Sequence, residues 1–586
     1  MTISDPTLPG VPVTGDRPDN AVMSPPGPPP GTQPAGVRRG PGVRRPSMAR
    51  ATGVMAAGTL LSRVTGFGQT LALAYALGQT ALTDSYNVAN TTPNIIYELI
   101  LGGVLSATLV PVFVSLLSKS EAGEASAEEE REAWREVSAV ATIVLVVSVT
   151  AATLFALAAP YIIRLYLSPE TTRDQQILAT TLLRFFAAQI VFYGIVSITT
   201  AVLQARRRFG PPMFAPVANN VIVIAVFLAL PHVARSIEVG AFRRQWSAVL
   251  LLGIGTTAGI FAMAVAQAAF LPSVGFHLRL VWDPHSPTVH RVLRLSGWTL
   301  GFVAANQVAL WVVFRLATRH AGDQSAYVNA MLFFLLPHGV YAVSVMSALQ
   351  PEMAERWHAG DVVGFARRVG AGLTSVASII VPAAIGLALL ARPIVAVVLR
   401  HGHLGSAGAE TTAGTLTALA VGLPGFSIYL LLMRSYQAMQ DTRSIFMLYL
   451  LENGVNIVAA LVLYPRFGVQ GLGAAYALAY SAATVVALID LRRRTAQLVG
   501  EGLLEFAGRL LVAVVALAVG VAFAVRILPG NGFVQQAVQV AAGVAVGAVV
   551  YLVEAVVLRL DDVVLPVRTA ILALRRRRAR HPADSM

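Results

Sequence analysis

The chain contains no cysteine among its 586 residues, so disulfides, cysteine metal sites and thiolate catalysis are excluded. Lysine is nearly absent too, because Lys119 is the single lysine beside many arginines, which we interpret as the base composition of a high-GC bacterium. No glycine-rich phosphate-binding loop occurs, which excludes ATP as a direct energy source. The sequence also lacks a catalytic cluster of side chains, and we therefore predict that the protein is not an enzyme.

Charge is also scarce. Only 13% of the residues are charged and 55% are hydrophobic, with a mean hydropathy of +0.66, whereas soluble chains carry about 25% charge. Windows of roughly 20 apolar residues, the length of a membrane-spanning helix, recur from Ala51 to Asp561. The arginines lie in short loops and tails, where they suit the negative cytoplasmic leaflet, so the net charge of +14 predicts no nucleic-acid partner.

These windows predict an all-α polytopic membrane protein with about fourteen spanning helices. The predicted spans are 51–78, 84–118, 136–160, 177–205, 213–231, 246–271, 292–319, 324–352, 367–391, 411–439, 443–464, 468–490, 505–528 and 533–560. With a cytoplasmic amino terminus, most arginines fall in cytoplasmic loops, as the positive-inside rule requires. Loops 161–176 and 231–246 deviate, because each carries arginines on the outer side. The sequence therefore predicts the bacterial cytoplasmic membrane, with both termini cytoplasmic.

The two halves of the chain contain similar segments. Asn220 follows the run Leu-Gln-Ala-Arg-Arg-Arg (203–208), and Asn456 follows Met-Gln-Asp-Thr-Arg-Ser (439–444), with equal spacing when the glutamines are aligned. A second pair of similar segments, Leu-Val-Pro (109–111) and Leu-Gln-Pro (349–351), lies near the ends of spans two and eight. Matches six helices apart predict two six-helix lobes in a parallel repeat, related by an axis along the membrane normal, with substrate bound between them.

The repeat gives the predicted organisation of the chain. Its parts are a disordered Pro- and Gly-rich cytoplasmic tail (1–47), an N-lobe (51–271), a C-lobe (292–490), two further helices (505–560) and a basic cytoplasmic tail (561–586).

Polar side chains concentrate on the first two spans. Asn87, Asn90, Asn94 and Glu98 recur at three- and four-residue spacing, which places them on one face of span two. Arg63 lies more than ten residues inside span one, where a charge is costly unless it faces protein or water. A wet cavity for a polar head group explains this density, and an Arg63–Glu98 ion pair that holds the helices together is the structural alternative.

Further candidates lie on other spans. Gln69 belongs to the polar stripe of span one, Gln307 and Arg315 lie on nearly one face of span seven, and Asn329 lies on span eight. Together with the residues of the first two spans, these side chains form the predicted substrate-binding set.

Several of these segments resemble a known family. Leu-Ser-Arg-Val-Thr-Gly-Phe-Gly (61–68), Thr-Asp-Ser-Tyr-Asn-Val-Ala-Asn (83–90), Pro-Asn (93–94), Val-Pro-Val-Phe (110–113) and Gln-Asp-Thr (440–442) resemble motifs of the lipid II flippases, the MurJ or MviN family. Arg-Phe (208–209) with Pro211 resembles another. The resemblance covers about residues 51–560. Within the family, the sequence is similar to the actinobacterial branch. It places the chain in the multidrug/oligosaccharidyl-lipid/polysaccharide (MOP) exporter superfamily.

The resemblance implies the function of the chain. Members move lipid II, an undecaprenyl-diphosphate-linked peptidoglycan precursor, from the inner to the outer leaflet by alternating access, without ATP hydrolysis. Their fold is two six-helix lobes plus two helices that form a groove for the lipid tail. We expect lipid II and membrane lipids as partners and no cofactor, with coupling to the membrane potential or to a monovalent ion left open. Cell-wall synthesis or division proteins are further candidate partners of the tails.

The chain departs from the family in its arginines. Arg63 matches the first cavity arginine, but Gln69 stands at the second position and Tyr97 at the span-two position, while span eight offers only Asn329. Arg315 is our candidate substitute, because a planar guanidinium suits phosphate.

Two other functions are compatible with the sequence. One is transport of a different cargo by a MOP exporter, either a polysaccharide-repeat lipid or a drug exported with a cation. The other is a non-transporting scaffold that recruits cell-wall enzymes through its basic tails.

Overall fold

The computed structural model describes residues 48–98, 109–122, 126–276, 279–495, 501–528, 530 and 532–560. All regular elements of this part of the chain are helical, and the predicted tails lie outside it. The helices are α1 (Met48–Leu77), α2 (Ala81–Glu98), α3 (Val110–Ala122), α4 (Ala127–Tyr166), α5 (Arg173–Ala187), α6 (Gln189–Ala205), α7 (Gly210–Val233), α8 (Val239–Arg244), α9 (Trp246–Ala268), α10 (Pro287–Ala317), α11 (Asp323–Pro337), α12 (Val343–His358), α13 (Val362–Leu389), α14 (Ala391–Leu399), α15 (Ser406–Ala438), α16 (Thr442–Phe467), α17 (Val469–Thr495), α18 (Glu501–Ile527) and α19 (Phe533–Val557).

Each predicted span overlaps one helix or a pair of consecutive helices, and residues 99–108 of the second span lie outside the described residues. Among the described residues, ten such units are long and apolar enough to cross a membrane, and the bent helix α15 makes eleven. The other three predicted spans fall on α1, on α2 with α3, and on α10. The all-helical polytopic fold is therefore confirmed, while the count of fourteen stays a prediction.

The internal repeat is visible in two turns. After α6, Arg207 has a φ of +55°, and after α15, Gln440 has a φ of +58°. In both turns the next backbone N–H donates to a carbonyl five residues earlier, from Arg208 and from Asp441. Aligned by this turn, Arg207 corresponds to Gln440, one helical turn away from the glutamine pairing in the sequence. The same kind of turn also ends α12 and α19, at Gly360 and Arg559.

The same alignment relates two helix breaks. Ala188 separates α5 from α6, and α15 bends by 48° between Val421 and Leu423 at the corresponding place. The fourth and tenth spans are therefore broken in the same way, which supports the two-lobe architecture.

Packing follows the lobes. α2 and α4 pack on α5 and α6, and α7 packs on α9, whereas α15 packs on α11, α13 and α17. The last two helices pack on each other and on α13 and α14, and Tyr551 of α19 donates a hydrogen bond to the Ser378 carbonyl of α13. We call the end of the bundle where α1 stops and α2 starts the latch end; the turn between α10 and α11 and the first turn of α15 also lie there.

Two short helices correct the sequence prediction of plain loops. α8 lies in the predicted loop 231–246 and α14 in the predicted loop 392–410. Arg243 of α8 forms an ion pair with Asp174, with Nε and Oδ1 3.1 Å apart. This ion pair joins loops 161–176 and 231–246, the two loops that deviate from the positive-inside rule. Arg243, one of the deviating arginines, is thus neutralised by a neighbouring carboxylate.

Candidate binding site between the lobes

The side-chain carboxylate of Asp84, in the N-lobe, caps the N-terminus of helix α11, in the C-lobe. The N–H of Gly322 donates to Asp84 Oδ2 at 2.6 Å, and the N–H and hydroxyl of Ser325 donate to Oδ1 at 3.0 and 2.6 Å. Gly322, at a φ of +89°, is the N-cap residue of α11 and supplies no side-chain cap of its own. Because helix N-termini carry unpaired N–H groups and a partial positive charge, Asp84 stabilises α11 from the other lobe. Asn87, one turn further along α2, donates to Ser325 Oγ at 3.4 Å.

A second lobe-to-lobe contact joins α10 to the end of α4. Arg315 Nη1 donates to three carbonyls in the last turn of α4, and Trp311 Nε1 donates to one of the same carbonyls. The Arg315 acceptors, at 3.1, 2.7 and 2.9 Å, are Arg164, Leu165 and Leu167. A cation at a helix C-terminus satisfies carbonyls that have no partner within the helix. Arg315 therefore holds the two lobes together here, and these contacts give no support to its predicted role in diphosphate binding.

A third contact involves the turn between α1 and α2. The side-chain amide of Gln79 donates to Thr412 of α15, and the N–H of His403 donates to the Tyr75 carbonyl at 3.1 Å. Gly402, at a φ of +65°, packs so closely on Tyr75 that a Cβ there would overlap it. These three lobe-to-lobe contacts all lie at the latch end, and we refer to them together as the latch. The connecting segment 269–286 adds a contact at the opposite end, where Ser286 donates to Glu136 Oε2 at 2.5 Å.

The polar stripe of α2 continues from the latch into the bundle. Asn87 faces α11 through Ser325, and Asn90 and Asn94, three and seven residues further on, share its helix face. Both side chains are half-buried. The side chain of Glu98 lies outside the described residues, so its predicted place on this stripe and the alternative Arg63–Glu98 ion pair both stay predictions.

The polar residues of α1 divide between two roles. Asn220 of α7 donates to Thr65 Oγ1 at 2.9 Å and to the Ser62 carbonyl at 3.2 Å, which fixes α1 within the N-lobe. Arg63 is exposed and, among the described residues, forms no hydrogen bond or ion pair. Gln69 is half-buried. Part of the stripe is thus structural.

The two remaining amide candidates lie in the C-lobe. Gln307 of α10 has both side-chain polar atoms buried and, within the described part of the chain, without a hydrogen-bond partner. Asn329 of α11 is buried. Leaving a buried amide unpaired is costly, and Gln307 shares this state with Gln189 and Gln324 among the described residues.

The sequence analysis missed two residues that the structure brings to the lobe interface and a third that begins an irregular turn in the C-lobe. Asp84 and Ser325 form the cap described above, and His338 begins a π-turn (His338–Ala342) between α11 and α12. The Thr-Asp-Ser sequence at the start of span two is a helix-start signal, but nothing local shows that its aspartate caps a helix more than 200 residues away. His338 carries no local signal beyond the preceding proline.

At the end opposite the latch, Asp441 anchors the turn between α15 and α16. Burial alone would raise the pKa of Asp441, but hydrogen bonds from Ser444 and Arg494 outweigh it and lower the pKa to about 2. Arg494 Nη1 lies 2.6 Å from Asp441 Oδ2, and its Nε lies 2.9 Å from Asp490. This network is confined to the C-lobe, so it keeps that lobe rigid without joining it to the other.

The side chains described above are suited to hydrogen-bonding a polar ligand. Amides, a guanidinium and hydroxyls lie between two lobes, and within the described residues no group of three His, Asp or Glu side chains could hold a metal ion. Such groups offer hydrogen bonds and a positive charge to a polar ligand.

Comparison with known proteins narrows the identity of that ligand. The family model of lipid II flippase MurJ matches residues 73–542. A lipid II flippase MurJ of Burkholderia cenocepacia is 26% identical over 475 residues, covering 78% of this chain and 87% of its own. A probable lipid II flippase MurJ of Rhizobium tropici is 25% identical over 440 residues, covering 74% and 79%.

Solved structures show the same fold. A lipid II flippase MurJ in an inward closed conformation superposes with a TM-score of 0.69 at 20% identity, over 87% of this chain and 99% of its own. An inward-facing multidrug resistance MATE family transporter of the MOP superfamily superposes with a TM-score of 0.59 at 14% identity, over 76% and 98%. At such low identities these likenesses describe the architecture alone.

Proposed function

The chain belongs to the MurJ family of lipid II flippases, and from this membership we propose that it moves lipid II from the inner to the outer leaflet of the cytoplasmic membrane by alternating access. The family match supports this cargo over the drug or polysaccharide-repeat cargo of other MOP exporters. The family match likewise supports transport over the scaffold alternative.

One structural observation carries the mechanism. The latch joins the lobes through reversible hydrogen bonds at one end of the bundle. Further in lie Arg63 and Gln307, whose side chains form no hydrogen bond within the described part of the chain. Alternating access requires a contact such as the latch to break while another forms. The diphosphate, sugars and peptide of the precursor would occupy the space beside Arg63, Asn90, Asn94 and Gln307, which present a positive charge and amide groups.

We further propose that the latch faces the outer side of the membrane. The arginine-rich turns after α6 and α17 lie at the end opposite the latch, and the positive-inside rule places that end in the cytoplasm. Both termini would then be cytoplasmic. No bound cofactor is part of this proposal, and a membrane potential or a monovalent ion would give the transport its direction.

Depletion of the protein in cells tests the function. Lipid II should cease to reach the outer leaflet, where an externally added lipid II-degrading enzyme normally cleaves it, while lipid II accumulates inside. Cleavage at the normal rate after complete depletion would rule out the proposed function. Resistance to drugs lost on depletion, with precursor export intact, would support a drug exporter instead.

A further inference from the structure

An apolar groove runs along the exposed side of α16. It has a volume of about 790 Å³, and within the described part of the chain nine of its ten lining residues belong to α16, while the tenth, Leu478, belongs to α17. The lining extends from Met447 to Leu463 of α16, a length of about 24 Å. All ten residues are apolar, and Met447, Val458 and Leu478 are each more than half exposed. In a spanning helix such a surface faces the hydrocarbon of the membrane.

Gly454 lies at the middle of the groove. A Cβ on Gly454 would meet no atom within 4 Å, so α16 leaves open space between the residues on either side. An empty void would lose dispersion contacts along its whole lining, so hydrocarbon has to fill this space. A flexible acyl chain adapts to the shape of the groove and is suited to fill it.

A positive charge lies at the end of the groove that is opposite the latch. Arg443 precedes Met447 by four residues, so the two side chains share one face of α16. Arg443 is exposed and, among the described residues, forms no hydrogen bond or ion pair. The nearby carboxylate of Asp441 is already bound by Arg494. Arg443 therefore presents an uncompensated charge where the groove ends.

A second arginine reaches the same place from α17. Arg494 Nη2 donates to Ser444 Oγ at 2.8 Å, which places the last turn of α17 beside the first turn of α16. Arg492 belongs to that last turn; it is exposed and has no ion-pair partner in the described part of the chain. It follows Leu478 by about four helical turns, so both side chains lie on nearly the same face of α17. The two walls of the groove thus each lead to an arginine.

We propose that the groove binds an anionic phospholipid, with its phosphate between Arg443 and Arg492 and one acyl chain along α16 past Gly454. The leaflet is the one opposite the latch, which the positive-inside rule makes cytoplasmic. Basic pockets between membrane helices on that side are suited to anionic head groups.

Charge favours this occupant over a second copy of the chain. A twofold pair of chains joined at this groove would place the arginines of one copy against those of the other, and like charges repel. The negative phosphate of a phospholipid instead complements both arginines. The site lies on the membrane-facing side of the C-lobe, so it goes beyond the proposed function and does not depend on the cargo.

Native mass spectrometry of the purified full-length protein tests the site, with phosphatidylglycerol as the anionic lipid and phosphatidylcholine of the same chains as the neutral one. We expect the first lipid bound to be phosphatidylglycerol when both are present. Arg443→Ala and Arg492→Ala should each weaken its binding about fivefold, and Arg443→Lys should retain nearly wild-type affinity. Gly454→Leu should also weaken it, because the added side chain occupies the groove.

The matched controls are Arg367→Ala and Gly508→Leu. Arg367 of α13 is an exposed arginine at the same end of the bundle, and Gly508 of α18 is a glycine where an added Cβ would likewise meet no atom within 4 Å. Neither variant should change the affinity for phosphatidylglycerol. Without added lipid, the four test variants should unfold at the same temperature as the wild type.

Three outcomes would overturn the inference. Equal binding of the two lipids by the wild type would show that the arginines select no head group. Unchanged phosphatidylglycerol binding in Gly454→Leu would place the lipid outside the groove. A protein dimer that Gly454→Leu dissociates would assign the groove to a second copy of the chain. None of these outcomes bears on the proposed function, which depends on precursor export after depletion of the whole protein.

Discussion

At the scale of single residues, Asp84 is the side chain whose surroundings matter most for motion. It is buried at 2% exposure, and all three of its hydrogen bonds come from the other lobe. Opening the latch end therefore exposes a carboxylate and at the same time removes the cap of α11. The Asp84 contact consists of a few charge-assisted hydrogen bonds, each of which contributes about 1.5–3 kcal/mol. A contact of this strength can break and form again during transport.

Neutralising this carboxylate should loosen the latch. In Asp84→Asn the side chain keeps one acceptor but loses the charge that stabilises the helix N-terminus. We expect a cysteine introduced as Asn87→Cys, buried just behind the latch, to react about tenfold faster with a water-soluble maleimide when Asp84→Asn is also present. The absence of native cysteines makes this labelling unambiguous.

The control for that experiment is Asp174→Asn. Asp174 lies at the same end but pairs with Arg243 inside one lobe, so its loss should leave the labelling rate unchanged. Equal rates in the Asp84 variant and in the wild type would show that the carboxylate does not hold the latch.

Asp441 gives a prediction about pH. Its pKa is lowered from 3.8 to about 2, so its contribution to stability is fully present above pH 4 and is lost as the pH falls through about 2. We expect Asp441→Asn to lower the melting temperature by roughly 2 °C, a small shift because the domain is large. The difference from wild type should be equal at pH 7 and pH 5; a difference that vanished by pH 5 would contradict the low pKa.

At the scale of helices, the sequence predicted the helical, membrane-spanning character of each segment better than its contacts with other segments. Apolar windows located all ten or eleven helical units of the described residues that are long and apolar enough to cross a membrane, because lipid imposes length and apolarity locally. The polar face of α2 was also readable from spacing. The cap on α11, the clamp of Arg315 on α4 and the π-turn at His338 could not be read from the sequence, because each depends on a neighbour far away along the chain.

The bend in α15 leads to a prediction at this scale. A Cβ on Gly422 would overlap the Cα of Ala477 in α17, so the glycine permits close contact of the two helices at the break. We expect Gly422→Ala to force them apart and to destabilise the protein by about 1–3 kcal/mol, measured as the thermal unfolding of the solubilised protein.

Gly454→Ala is the matched control. Gly454 lies inside α16, where a Cβ added to it would meet no atom within 4 Å, and alanine is the better helix former. This variant should be as stable as the wild type or slightly more stable. Equal stability of Gly422→Ala and Gly454→Ala would show that α15 does not need its close approach to α17.

At the scale of the whole molecule, the lobes must separate at the latch end for transport to proceed. Gln79 and Gly408 lie on opposite lobes, and a Cβ on Gly408 would lie 3.4 Å from that of Gln79, close to the separation found in disulfides. The pair Gln79→Cys with Gly408→Cys should therefore form a disulfide on oxidation. We expect the oxidised protein to lose precursor export and to regain it on reduction.

A cross-link inside one lobe provides the control. A Cβ on Gly473 would lie 3.2 Å from that of Ala418, and both residues belong to the C-lobe. Oxidation of Ala418→Cys with Gly473→Cys should leave export intact. Export that continued with the lobes covalently joined at the latch would contradict alternating access through this end.

The cap on α11 also constrains how the chain is made. Asp84 and Ser325 are 241 residues apart, and at about 5–20 residues per second the ribosome needs on the order of tens of seconds to reach the second after the first. During that interval the N-lobe is in the membrane with a carboxylate that has none of its final donors. Insertion machinery or water must shelter it until α11 arrives. The carboxylate that caps α11 in the finished protein is thus a burden during insertion.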